Sequence, residues 1–122
     1  MKKKSVTIMM LVVLVSILLA GCNMQRLGAD QYYVQIKGEG KLEDGSRYYT
    51  LKGYTSDGED KEITFISHKD NAGKLREDAY LRIYAKPKDK KAKQINEVTS
   101  YEEVKAEDIP ARAKEMLDAQ SP

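Results

Sequence analysis

Few residues in this chain have the chemistry of a catalytic or ligand-binding centre, and their spacing limits what they can do. The single cysteine, Cys22, closes the run Leu19-Ala20-Gly21-Cys22. Leucine three places before a cysteine, with two small residues between, is the pattern of a bacterial lipobox. The Cys22 thiol would accept the diacylglyceryl group. Ala20 and Gly21 are small enough to let a signal peptidase reach the bond before it. With the only thiol consumed, cysteine catalysis, disulfides and cysteine-based zinc clusters drop out. The single histidine, His68, follows Ser67 directly. Neighbours on a strand point to opposite faces, so the two do not form a Ser/His dyad, and His68 reads as part of a polar turn. The acidic turn Asp57-Gly58-Glu59-Asp60 lacks the alternating oxygen ligands of a calcium loop. No phosphate-binding loop, dinucleotide fingerprint, HExxH or GxSxG is present. The residues therefore imply no metal and no cofactor.

Two stripes could instead carry binding. On the run Tyr80–Lys86, Tyr80, Arg82, Tyr84 and Lys86 share one face, and Tyr48, Thr50, Lys52 and Tyr54 form a similar stripe. Aromatic rings beside cations make stacking platforms, although a solvated strand face reads the same way. Lys86, Lys88, Lys90, Lys91 and Lys93 form a basic cluster broken by Asp89. It is too short to define a nucleic-acid groove, and would suit anionic headgroups, wall polymers or plain solvent.

These residues need elements to hold them. Lys2, Lys3 and Lys4 precede a 15-residue apolar run, Val6–Ala20. That run is shorter than the roughly 20 residues of a membrane-spanning helix and fits an export signal. The chain divides into a signal peptide (1–21), a lipid-anchored tether (22–30) and one domain (31–119). Residues 22–122 hold 18 basic and 19 acidic side chains, a formal −1 against the +2 of the whole chain. That balance disfavours nucleic acid as a partner.

Five runs alternate like strands: Gln31–Lys37, Arg47–Tyr54, Glu62–Ser67, Tyr80–Lys86 and Ile95–Val104. The last breaks strict alternation, which predicts a bulge or two segments joined near Thr99-Ser100. Gly38, Gly40, Asp44-Gly45, Asp57-Gly58 and Asp70–Gly73 supply turns. Ile109, Ala113, Met116 and Leu117 fall on one helical face, with Asp108 as N-cap and an end near Ala119. The pattern predicts a mainly β domain with one C-terminal helix. We expect a small five-stranded OB-like barrel, or alternatively an open antiparallel sheet with the helix packed across it.

The segments Tyr48–Tyr54, Asp57-Gly58, Glu62–Phe65, Asp78–Tyr84, Val98–Val104 and Ile109-Pro110 together resemble the YxeA-like proteins of Gram-positive bacteria. The resemblance implies a small exported or lipid-anchored OB-type domain of unassigned function, and supplies no catalytic residue. The expectation is a non-enzymatic binding or accessory module on the extracytoplasmic face of the cell membrane, held there by lipidated Cys22. Its partner would be an envelope protein, a peptide or a cell-wall polymer. The alternative is an envelope-polymer hydrolase pairing Glu59, Asp60 or Glu62 with Glu77 or Asp78.

Overall fold

The structure, a computed structural model, describes residues 28–120. Leu19, Ala20 and Gly21 of the expected signal peptide, Cys22 as the expected lipidation site and most of the expected tether lie outside the described residues. Among the described residues seven strands precede one helix: β1 (Asp30–Gln35), β2 (Lys41–Glu43), β3 (Ser46–Tyr54), β4 (Asp60–Ile66), β5 (Tyr80–Ala85), β6 (Gln94–Ile95), β7 (Val98–Val104) and α1 (Ala111–Asp118). Short 3-10 turns sit at Asp70–Ala72 and Ala106–Asp108.

The alternation read from the sequence sets which side chains face inward. Tyr32, Val34 and Ile36 meet Tyr49, Ile63, Phe65, Leu81, Ile83 and Ile95 in one buried cluster. A second, smaller cluster lies on the opposite side of the sheet. There Tyr33 and Tyr54 pack against Ile109, Ala113 and Leu117 of the C-terminal segment. Ile109 and Leu117 are both buried and Met116 is half-buried, as the helical spacing predicts. Asp108 does not cap the helix. It closes a 3-10 turn, and Pro110 takes the N-cap position, where a missing N–H loses nothing.

The sheet runs β6-β4-β3-β1-β5-β7, with β2 on the side of β3. All pairings are antiparallel except β4–β6. The ladder does not close, so the expected five-stranded barrel gives way to an open mixed sheet with a helix across one face. The reason lies in the fifth run. It divides at Asn96-Glu97, and its halves, being consecutive, bond to β4 and β5 rather than to each other. Three Cα steps of about 3.8 Å hold Ile95 and Val98 within about 11 Å. The two ends of the sheet are thus tied together, and the open sheet must curl around its inner cluster. The predicted bulge is present too. Tyr84 pairs with Ser100 and Ala85 with Val98, which leaves Thr99 as the extra residue.

Asp44-Gly45 makes the two-residue hairpin between β2 and β3, both residues at positive φ (50° and 79°). Gly53 serves close packing. A Cβ there would stand 2.5 Å from Ile63 Cδ1 and 2.8 Å from Val34 Cγ1.

Candidate functional site

Of the stripe Tyr80, Arg82, Tyr84 and Lys86, the first three lie on the outer face of β5, the face on which α1 packs, and Lys86 follows its last residue. Tyr84 is only 6% exposed. Its hydroxyl donates to Glu102 Oε1 at 2.8 Å, and Arg82 Nη1 donates to the same oxygen at 2.8 Å. Arg82 also donates through Nη2 to the Asp108 carbonyl (3.1 Å) and through Nε to the Tyr33 hydroxyl (3.4 Å). Burial opposes the Arg82 charge, but the bonds to Tyr33, Tyr84 and Glu102 outweigh it and hold the guanidinium firmly charged. Burial, aided by the Glu102 contact, pushes the Tyr84 phenol up, with Arg82 opposing. Tyr80 is half-buried. Its hydroxyl reaches Asp118 Oδ1 at 3.4 Å, and Lys114 Nζ lies 5.4 Å from its ring centroid. Lys86 is exposed. The stripe is therefore not an open platform. Its first three members form a clamp joining β5 to β7, the 3-10 turn at Ala106–Asp108 and the helix.

The second stripe is treated differently. Tyr54 is buried under the helix, but Tyr48 is half-buried and Thr50 and Lys52 are exposed. Across the ladder they face Ile66, Thr64 and Glu62. Thr50 and Thr64 share a hydroxyl–hydroxyl bond of 2.9 Å. Ile66 remains 42% exposed. A cleft of about 410 Å³ between Gly40, Lys41, Glu43, Tyr48, Thr50 and Thr64 opens on this face. A second, of about 520 Å³, reaches from Thr50 and Lys52 to Gln35, Lys37, Met116 and Gln120. Thr50 lines both.

The acidic residues are not brought together. Glu59 and Asp60 adjoin Tyr54 at the β3–β4 turn, near the end of β1 that begins at Asp30. Glu59 reaches Lys61 Nζ at 3.4 Å. Glu77 and Asp78 lie beyond the other end of β1, where Asp78 N–H bonds the Ile36 carbonyl and Gly38 N–H bonds the Glu77 carboxylate. Glu62 is exposed on β4 and pairs across the ladder with Lys52. Ser67 Oγ donates to the Gly73 carbonyl, while the His68 ring stacks on Tyr101 with centroids 4.5 Å apart. Among the described residues no three His, Cys, Asp or Glu side chains are grouped to hold a metal ion.

Sequence reasoning missed Lys61. It is 4% exposed, and its ammonium donates to the Lys90 (3.2 Å) and Ala92 (2.8 Å) carbonyls. Together with the bond from Glu62 N–H to the Lys93 carbonyl, it pins the lysine-rich loop against β4. Alternation back from Ile63 and Phe65 puts Lys61 on the buried face of β4, but the carbonyls that satisfy it lie some thirty residues on and leave no local sign.

These features define a class: a small, mainly β domain with a curled open sheet, its outer face sealed by a C-terminal helix over one part and left bare over another. The chain belongs to the DUF1093 family, described as proteins of unknown function, whose profile matches residues 25–107. The uncharacterized YxeA protein of Bacillus subtilis is 40% identical over 86 residues, 70% of this chain and 64% of that protein. The match thus spans slightly under two thirds of that relative's length. A crystal structure of a DUF1093 protein from Bacillus subtilis superposes with a TM-score of 0.58 at 37% identity, covering 73% of this chain and 90% of that one. A Bacillus cereus protein provisionally described as a lipoprotein gives 0.54 at 45% identity, over 71% and 85% of the two chains. A Bacillus cereus protein described as membrane associated gives 0.53 at 36%, over 78% and 89%. Among the described residues no helix is long and apolar enough to cross a membrane.

Proposed function

We propose that the protein is a lipid-anchored, non-enzymatic binding or accessory module at the extracytoplasmic face of the cell membrane. The observation that carries the binding role is the bare outer face of β3 and β4 with its two adjoining clefts. The scattering of Glu59, Asp60, Glu77 and Asp78 to opposite ends of β1 favours binding over carboxylate hydrolysis. The Leu19–Cys22 motif supports anchoring, as do the lipoprotein and membrane-associated descriptions of the two Bacillus cereus relatives. In this reading residues 1–21 are removed, Cys22 carries the lipid, and the short segment to Asp30 keeps the domain close to the bilayer. Two or more acyl chains give lasting attachment where one does not.

Cys22→Ser tests the anchor. Metabolic labelling with a fatty-acid analogue is expected to mark the parent and not the variant, and the variant precursor should accumulate unprocessed. Equal labelling of both would refute lipidation at Cys22.

A further inference from the structure

We propose that a gap in the sheet between β1 and β3 binds an extended, acidic peptide as an added strand. The inference deepens the binding-module reading and rests on it.

The gap follows from register. β1 meets β3 only at Tyr33–Tyr54, and β2 meets it at Ser46–Tyr48. Continuing the first pairing would set Gln35 opposite Lys52 and Lys37 opposite Thr50, but neither pair forms. The direction of the backbone groups can be worked out. Ser67 N–H bonds the Arg47 carbonyl, so the odd-numbered residues of β3 bond toward β4. Thr50 and Lys52 therefore aim N–H and C=O into the gap. On the other side Ile36 N–H bonds the Ala79 carbonyl, so Gln35 turns its backbone the opposite way, also into the gap.

An unpaired strand edge is a template for another chain. One acceptor is already used in that manner, by the Gln120 side-chain amide donating to the Lys52 carbonyl at 3.3 Å. The two clefts share Thr50 and lie to either side of it along this edge. Leu51, Met116 and Ala119 give one of them an apolar wall for alternate side chains.

Charge selects the partner. Lys41 and Lys52 stand at the clefts without an ion pair among the described residues, and Lys37 joins them, held by Asp78. Glu43 is the lone acid lining either cleft. In a mature chain of formal −1 this is a local cationic excess, which suits glutamate or aspartate on the incoming strand. The same lysines repel a second copy of this edge, so self-pairing is disfavoured.

The test uses the full chain in detergent micelles with two fluorescent hexapeptides, alternating valine with glutamate or valine with lysine. The parent should bind the acidic peptide at least tenfold more tightly, and added salt should weaken it. Lys41→Glu with Lys52→Glu should invert that order. Thr50→Pro deletes an N–H aimed at the gap and leaves the β4 bonds intact, so it should cost at least tenfold with the charges unchanged. The charge-reversed variant decides the matter if the proline variant fails to fold. A parent that binds neither peptide, or both alike, overturns the proposal. So does a folded Thr50→Pro that binds like the parent, or retention of a β-1,4-linked hexasaccharide in place of either peptide. Anchoring is scored separately through Cys22. A chain that is anchored but has no peptide affinity loses this inference alone.

Discussion

On the outer face of β5, Tyr80, Arg82 and Tyr84 are bound up with α1, β7 and the turn before the helix. On the outer face of β3, Tyr48, Thr50 and Lys52 stand in water or beside a cleft. Both stripes consist of tyrosine, a cation and period-two spacing. What separates them is cover. The helix lies across one part of the sheet and stops at Asp118, short of the Thr50–Thr64 pair. The same residue types therefore act as mortar on one strand and as surface on its neighbour. The difference also shows that an aromatic and basic stripe gains meaning only when the element above it is known.

The largest effect should come from lifting the cover. Leu117 is 1% exposed, and truncating a packed leucine costs about 2–5 kcal/mol. Leu117→Ala should lower the melting temperature by roughly 4–8 °C for each kcal/mol, as read by calorimetry. Parent-like melting would mean that the two faces are equally bare.

Next in size is the clamp beneath. Glu102→Ala removes the acceptor shared by Arg82 and Tyr84 and should cost about 1–3 kcal/mol in urea unfolding. Arg82 and Glu102 are 23% and 31% exposed. Solvent screening therefore puts their coupling, in a cycle with Arg82→Met, near the low end at about 1 kcal/mol. An additive cycle would reduce the clamp to simple shape-filling.

Buried tyrosines on the two sides of the sheet, Tyr32 inside and Tyr84 outside, should also show themselves at high pH. Burial, helped by nearby carboxylates, raises the Tyr32 and Tyr84 phenols above their usual value of 10.0. The unfolded chain then loses these protons first. Stability is full below pH 10 and falls as pH rises from there through the folded values. Tyr84→Phe should flatten part of that alkaline decline. Denaturant midpoints between pH 9 and 11 measure it.

The smallest effect belongs to the bare face. Thr64→Ala breaks the exposed bond to Thr50 and should stay within about 0.5 kcal/mol. A larger loss would mean that this face is structural after all.

The strands and the helix were legible because alternation and helical spacing are local. Leu81, Ile83 and Ala85 turn inward on β5 as their spacing demands, and the bulge at Thr99 shows in the break after Ile95. The short β2 was not legible. Lys41–Glu43 carries no apolar alternation and is a strand only because the Asp44-Gly45 turn folds it onto β3. Nor was the helix start, since the 3-10 turn at Ala106–Asp108 takes the residue suited to capping. How far each tyrosine stripe is covered was not legible either, for a physical reason. Covered tyrosines and wet ones share a sequence pattern, and only tertiary partners, Glu102 of β7 for Tyr84 and Asp118 of α1 for Tyr80, tell them from Tyr48. The gap between β1 and β3 left no mark either, because a missing pair is a property of two strands and not of one.

The tie between β6 and β7 bears on the order in which the chain can fold. The β3–β4 hairpin is available as soon as residue 66 is made, but β1 gains its full-length partner only with β5, where Asp30 pairs with Ala85. The outer edges of β4 and β5 stay open until 94–104 arrives and covers both with a single stretch. A chain emerging from its N-terminus thus carries two sticky edges until residues 94–104 are made, and the β4–β6 pairing, some thirty residues apart, is slower to form than a hairpin. A chain cut before Gln94 would uncover both margins of the sheet at once, so we expect it to aggregate instead of persisting as a smaller domain.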